Sequence, residues 1–224
     1  MTERDWEGDH QRLLRSASHQ DGLHGLVSVN YWGYSASSAP GRRPTLERAL
    51  ARARWARDGR PTAKLVDPPP TLHGWLQAAA LRLGQGDIAE ALLAVNQIRE
   101  FGQMSFGSKV LMAMEPTTCG VYDRVIYEAL AEAATADPAW TPYVAIPNSG
   151  MSKSKAEVYA RWCELLQHRA REMNRYPVGV GGWDYMRDPA LKTPWRAADV
   201  ERAFFVSRDI RVLGSPVLPP AQAL

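Results

Sequence analysis

The chain has 224 residues, a formal net charge of +3 and an apolar fraction of 45%. This length buries one substantial core, or two small lobes sharing one, and the composition excludes a disordered or low-complexity chain. The small positive charge admits a polyanionic partner without demanding one. Cys119 and Cys163 stand far apart and form no CxxC knuckle or disulfide framework. Met1 to Arg15 is charged throughout, so no secretory signal is expected there, and no apolar run reaches membrane-spanning length. The expectation is a monomer in the cytoplasm with no membrane partner.

Residues 1 to 25 are polar, with Trp6, Leu13 and Leu14 able to support a short helix. Residues 26 to 41 read as extended or loop-like. Val27, Val29 and Tyr31 alternate, and a Ser/Pro/Gly cluster follows. Trp32 and Tyr34 flank Gly33 there, either packed on the core or offering a stacking surface. Thr45 opens an amphipathic helix that Gly59 and Pro61 stop. Its outer face carries Arg48, Arg52, Arg54 and Arg57, which suits solvent or phosphate. Residues 61 to 70, ending in three prolines, form a stiff spacer and a candidate lobe boundary within a single domain of residues 1 to 224.

Thr71 caps a helix to about Gln85. Asp87 caps the next, with Ile88, Ala91, Leu92, Val95 and Ile98 at helical spacing, and Gly102 is expected to end it in the left-handed C′ conformation. A short helix runs from about Ser105 to Met114 and stops at Pro116. A longer one is expected from about Gly120 to Ala134. A loop covers residues 137 to 150, and a long helix from Ser152 or Ser154 reaches about Tyr176. The loop from Gly179 to Tyr185 is glycine-rich, but no GxGxxG follows a strand in it. A last helix spans about Ala197 to Arg208. No repeat and no βαβ alternation appear, so the fold class is all-α.

The segment Phe101 to Leu130 carries the chemistry. Lys109 and Asp123 fall at the starts of two helices joined by a tight connection. Lysine is a nucleophile only when neutral, and burial beside apolar residues and a helix N-terminus disfavours an ammonium. A carboxylate at the next helix start assists proton movement or stabilises a developing cation. The same residues also suit a solvated lysine and a simple cap.

The run Phe106-Gly107-Ser108-Lys109-Val110-Leu111, Pro116, Val121-Tyr122-Asp123-Arg124-Val125 and Ala129-Leu130 resembles the helix-hairpin-helix base-excision DNA glycosylases. It is most similar to the bacterial 8-oxoguanine-glycosylase-like branch. The firm likeness covers residues 98 to 130, and Trp195 to Phe204 is similar less specifically. The resemblance implies a helical bundle of two lobes around a cleft, with a hairpin over residues 98 to 115. Its partner would be double-stranded DNA containing a modified base. Lys109 would attack C1′ of a flipped nucleotide, and Asp123 would stabilise the sugar cation and assist the lysine. Gln103, Met104, Ser105, Gly107 and Ser108 would contact the DNA backbone. Gln103 and Ser105 replace glycines common in such hairpins. No organic cofactor and no catalytic metal are implied, although such hairpins often hold a monovalent cation.

An extruded base needs a pocket with aromatic walls and polar edges. Candidates are Trp32, Tyr34, Trp183, Asp184, Tyr185, Trp195, Asp199 and Phe204, each of which also suits packing or capping. The base is either 8-oxoguanine or a hypermodified base of viral DNA, the latter in a defence role. The competing readings are a non-catalytic hairpin DNA-binding protein and a helical protein-interaction module. A hydrolase using His10, His19, His24, His73 or His168 finds no motif in support.

Overall fold

The computed structural model describes residues 3–35, 46–58, 72–175 and 194–216. Every regular element among them is helical: α1 (Glu3–Arg15), α2 (His19–Ser35), α3 (Leu46–Asp58), α4 (Leu72–Gly84), α5 (Ile88–Asn96), α6 (Met104–Met114), α7 (Arg124–Ala136), α8 (Lys153–Arg175) and α9 (Ala197–Ser207). Two short 3-10 helices, Pro138–Tyr143 and Ile210–Leu213, complete the set. The all-α expectation holds. Buried apolar side chains from Leu14 to Leu213 join in one cluster. The lobe boundary expected at 61–70 lies outside the described residues.

Residues 26–35, expected to be extended, are instead the second half of α2. Leu23, Leu26, Val29 and Asn30 are buried at helical spacing, a period that the alternation of Val27, Val29 and Tyr31 obscured. The glycines of α2 mark close approach to its neighbours. A Cβ on Gly22 would lie 3.0 Å from Leu76 of α4, and one on Gly25 would lie 2.8 Å from Leu14 of α1.

The turn between α5 and α6 also differs from expectation. The left-handed residue is Glu100 (φ 70°), not Gly102. Helix α5 tightens at its end through Gln97 N–H to Ala94 O (3.1 Å) and Ile98 N–H to Val95 O (3.0 Å). The Glu100 carbonyl accepts from Arg52 Nε at 3.0 Å, and the same guanidinium lies 3.6 Å over the Phe106 ring. Arg52 of α3 therefore grips the hairpin from the side, while Arg48, Arg54 and Arg57 of that helix stay exposed.

Helix α7 begins at Arg124 and not near Gly120. The four residues before it are irregular backbone running through the core. The loop expected over 137–150 contains the 3-10 turn Pro138–Tyr143, opened by Asp137 accepting from Ala139 N–H at 3.0 Å.

Candidate active site

The segment from Pro116 to Asp123 has no helix or strand to satisfy its peptide groups, yet Cys119 to Tyr122 are buried. Such backbone must find partners elsewhere. Surrounding side chains supply them. Tyr159 and Trp162 of α8 donate to Gly120 O (3.0 Å) and Val121 O (3.1 Å). Ser108 Oγ accepts from Tyr122 N–H at 3.0 Å and lies 3.3 Å from Tyr122 O. Gln167 donates to Thr118 O, and the first amides of α9 donate to Pro116 O and Thr117 O. The Tyr122 hydroxyl donates to Tyr143 O at 2.7 Å and accepts from Ala145 N–H. Held on both sides, the segment delivers Asp123 to a fixed place.

Asp123 is the N-cap of α7, where its Oδ1 accepts from Val125 N–H (3.0 Å) and Ile126 N–H (3.3 Å). Its other oxygen faces α6. Lys109 Nζ lies 3.5 Å from Asp123 Oδ2 and donates to Ser105 O at 3.3 Å. The lysine side chain is 10% exposed and the aspartate side chain 21%. The lysine stem runs against α2, where a Cβ on Gly33 would stand 3.0 Å from Lys109 Cδ and 3.3 Å from Cε. Three elements distant in sequence thus meet at one amine.

Glu201 of α9, which the sequence reading passed over, adds to this site. Its Cβ and Cγ lie against Gly120, it is 4% exposed, and its carboxyl sits beside the Val121 N–H. Burial pushes this carboxyl up to about 8, and the Asp123 charge pushes the same way; Arg202 and Lys109 oppose. Glu201 is therefore mostly neutral at pH 7, within electrostatic reach of Lys109 and Asp123. The signal was its register. Ala197, Val200 and Phe204 mark the inward face of α9, and Glu201 falls within it.

The remaining expected site residues fall in several places. Gln103 is exposed, and its side chain donates to Asn148 O at 3.2 Å. No side chain caps the α6 N-terminus. Met104, Gly107 and Ser108 are buried, so their side chains serve packing and the expected DNA contact is left to main-chain atoms. Met104 packs in the core, Ser108 ties α6 to Tyr122, and a Cβ on Gly107 would stand 2.7 Å from Leu92 Cδ1. The pocket reading of Asp199 is also corrected. Its carboxylate is fully buried and forks with Arg196 at 2.8 and 2.9 Å while bonding the Arg196 N–H at 3.0 Å. Phe204 is 1% exposed and stacks at a tilt on Trp162, so it is core. Trp195 is half-buried at the start of α9, its main chain clasped by Asn174. Trp32 is half-buried on α2, next to Gly33. Tyr34 lies in the last turn of α2, with its side chain outside the described residues, as are Trp183, Asp184 and Tyr185.

A protein-family profile described as "Putative 8-oxoguanine DNA glycosylase OGG-like protein" matches residues 10–205. The chain belongs to this OGG-like family. The match takes in α2 to α8 and most of α9, so every residue of the Lys109 site lies inside the OGG-like region. No curated protein and no solved structure matches the chain. No group of His, Cys, Asp and Glu able to hold a metal occurs among the described residues, and no described helix is long and apolar enough to cross a membrane.

Proposed function

We propose that this protein is a base-excision DNA glycosylase in which Lys109 is the nucleophile and Asp123 its electrostatic partner. The observation that carries the reading is the 3.5 Å approach of Lys109 Nζ to Asp123 Oδ2 in a nearly closed site. Lys109, after losing a proton, attacks C1′ of the extruded nucleotide. The glycosidic C–N bond breaks, and the base leaves with that bond's electron pair and takes up a proton. Asp123 stabilises the positive charge that builds on the sugar. The Lys109 nitrogen, having shed its extra proton, then expels O4′ from C1′; O4′ takes up a proton, and Asp123 stabilises the resulting open-chain iminium. Removal of a C2′ proton then expels the 3′-phosphate by β-elimination, so the enzyme also nicks the strand.

DNA contact at the hairpin falls to the main chain. The first amides of an α-helix have no intrahelical acceptor, and the N-cap Gln103 side chain does not take those of α6. A phosphate, with or without a monovalent cation, fits that chemistry. The family description favours 8-oxoguanine as the substrate base, and a hypermodified viral base is the other arm of the test.

Borohydride reduction during incubation with an abasic-site duplex should trap a covalent adduct with the wild type and none with Lys109→Gln. A folded Lys109→Gln protein that still forms the adduct, or still releases base at the wild-type rate, would falsify the assignment. Base release from duplexes carrying 8-oxoguanine and glucosylated 5-hydroxymethylcytosine separates repair from defence.

A further inference from the structure

Asn30 lies on α2, one helical turn before Gly33. It is 1% exposed, and neither Oδ1 nor Nδ2 has a hydrogen-bond partner among the described residues. Other buried polar side chains are engaged: Glu7 with Arg196 and Arg202, His10 with Ser28, Ser108 with Tyr122, Lys109 with Asp123. Besides Asn30, only His73 Nδ1 is a buried side-chain polar atom without a partner among the described residues. A buried amide without partners is more costly than an apolar side chain of the same shape. Such a group in a folded protein calls for a ligand or a water.

Its place in the fold says which. Positions i and i+3 of a helix share a face and stand about 5 Å apart at Cα. Gly33 lies directly against the Lys109 stem. Asn30 is therefore on the face of α2 that turns to the reacting amine, one turn back along the helix. A nucleobase on the carbon that Lys109 attacks would meet Asn30 when it enters along this face of α2. A carboxamide offers one acceptor and two donors in a plane, and pairs with a base edge through two hydrogen bonds.

We propose that Asn30 is a specificity-determining residue that reads the edge of the extruded base through one donated and one accepted hydrogen bond. The substrate base then carries a donor beside an acceptor on one edge. This inference rests on the Lys109 reading. Pairing two polar groups left unmet in the free enzyme makes discrimination steep, because a base without the matching groups leaves them buried and unpaired.

The test compares Asn30→Leu with the wild type in two reactions. One is single-turnover base release from duplexes carrying 8-oxoguanine, 5-hydroxymethylcytosine, glucosylated 5-hydroxymethylcytosine or uracil. The other is borohydride trapping on an abasic duplex, which has no base to read. Base release should fall about 10–100-fold, the discrimination worth of one bidentate pair, with trapping unchanged. The melting temperature should hold or rise, since the unmet amide is gone. Asn30→Ala gives the same comparison should the leucine variant fail to fold. Base release equal to wild type, or release and trapping falling together, overturns the role of Asn30 alone. Absence of wild-type trapping overturns the Lys109 reading and this inference with it.

Discussion

Glu201 shows how much of the site depends on a single proton. Folding carries the Glu201 carboxyl from the ordinary carboxylate range up to about 8. Between those values the folded state binds a proton that the unfolded state has released. The linked stability is complete at acid pH, declines as pH rises through this window and levels off above about pH 8, at up to roughly 1.4 kcal/mol per pH unit. Glu201→Gln keeps the shape and removes the proton. Urea midpoints measured from pH 5 to pH 8 should therefore fall less steeply in the variant than in the wild type. Parallel slopes would show that Glu201 ionises normally. At this scale the sequence exposed Lys109 and Asp123 through their local spacing, although Lys109 falls in the middle of α6 and not at its start, and only Asp123 stands at a helix start. It hid Glu201 and Asn30, because a Glu beside arginines and an Asn among valines read as ordinary polar positions until three-dimensional packing buries them.

Helix α6 carries the amine, and its position is set by the residues that face the core. Gly107, expected to contact the DNA backbone, is the point where α6 presses on α5. Gly107→Ala would place a methyl 2.7 Å from Leu92 Cδ1, inside van der Waals contact. The overpacking should cost about 1–3 kcal/mol, read as a lower denaturant midpoint at constant slope. A midpoint shift below a few tenths of a molar in urea would show that α5 and α6 separate freely. The hairpin helices were legible from caps and period: Asp87 does accept from Glu90 N–H, and Asp123 caps α7. The α2 error has a physical source. Val27, Val29 and Tyr31 favour strands locally, but Leu23, Leu26, Val29 and Asn30 form the stripe that the core uses, and burial outweighs local preference. The consequence is functional, since the misread element is the one that touches Lys109.

Across the molecule, α1 joins the N-terminal region to both halves of the site. Arg15 at its C-terminal end donates to Met114 O at 3.1 Å and pairs with Glu115 at 2.6 Å, holding the end of α6. Glu7 near its other end bridges Arg196 (2.7 Å) and Arg202 (2.6 Å) of α9. Arg202 is also among the charges acting on Glu201. The Glu7, Arg196 and Arg202 side chains are 10–19% exposed, so this network sits between exposed and fully buried ion pairs. Glu7→Gln keeps the size but leaves two arginines short of a counter-charge. The loss should be about 2 kcal/mol, which for a chain of this length lowers the melting temperature by about 4–8 °C. Calorimetry at low salt is the direct measurement. Glu7 pairs with neither Lys109 nor Asp123, so trapping on an abasic duplex well below the melting transition should stay near wild type. If trapping collapses while the melting temperature holds, the bridge acts on the site through Arg202 and Glu201, and not as a brace between α1 and α9.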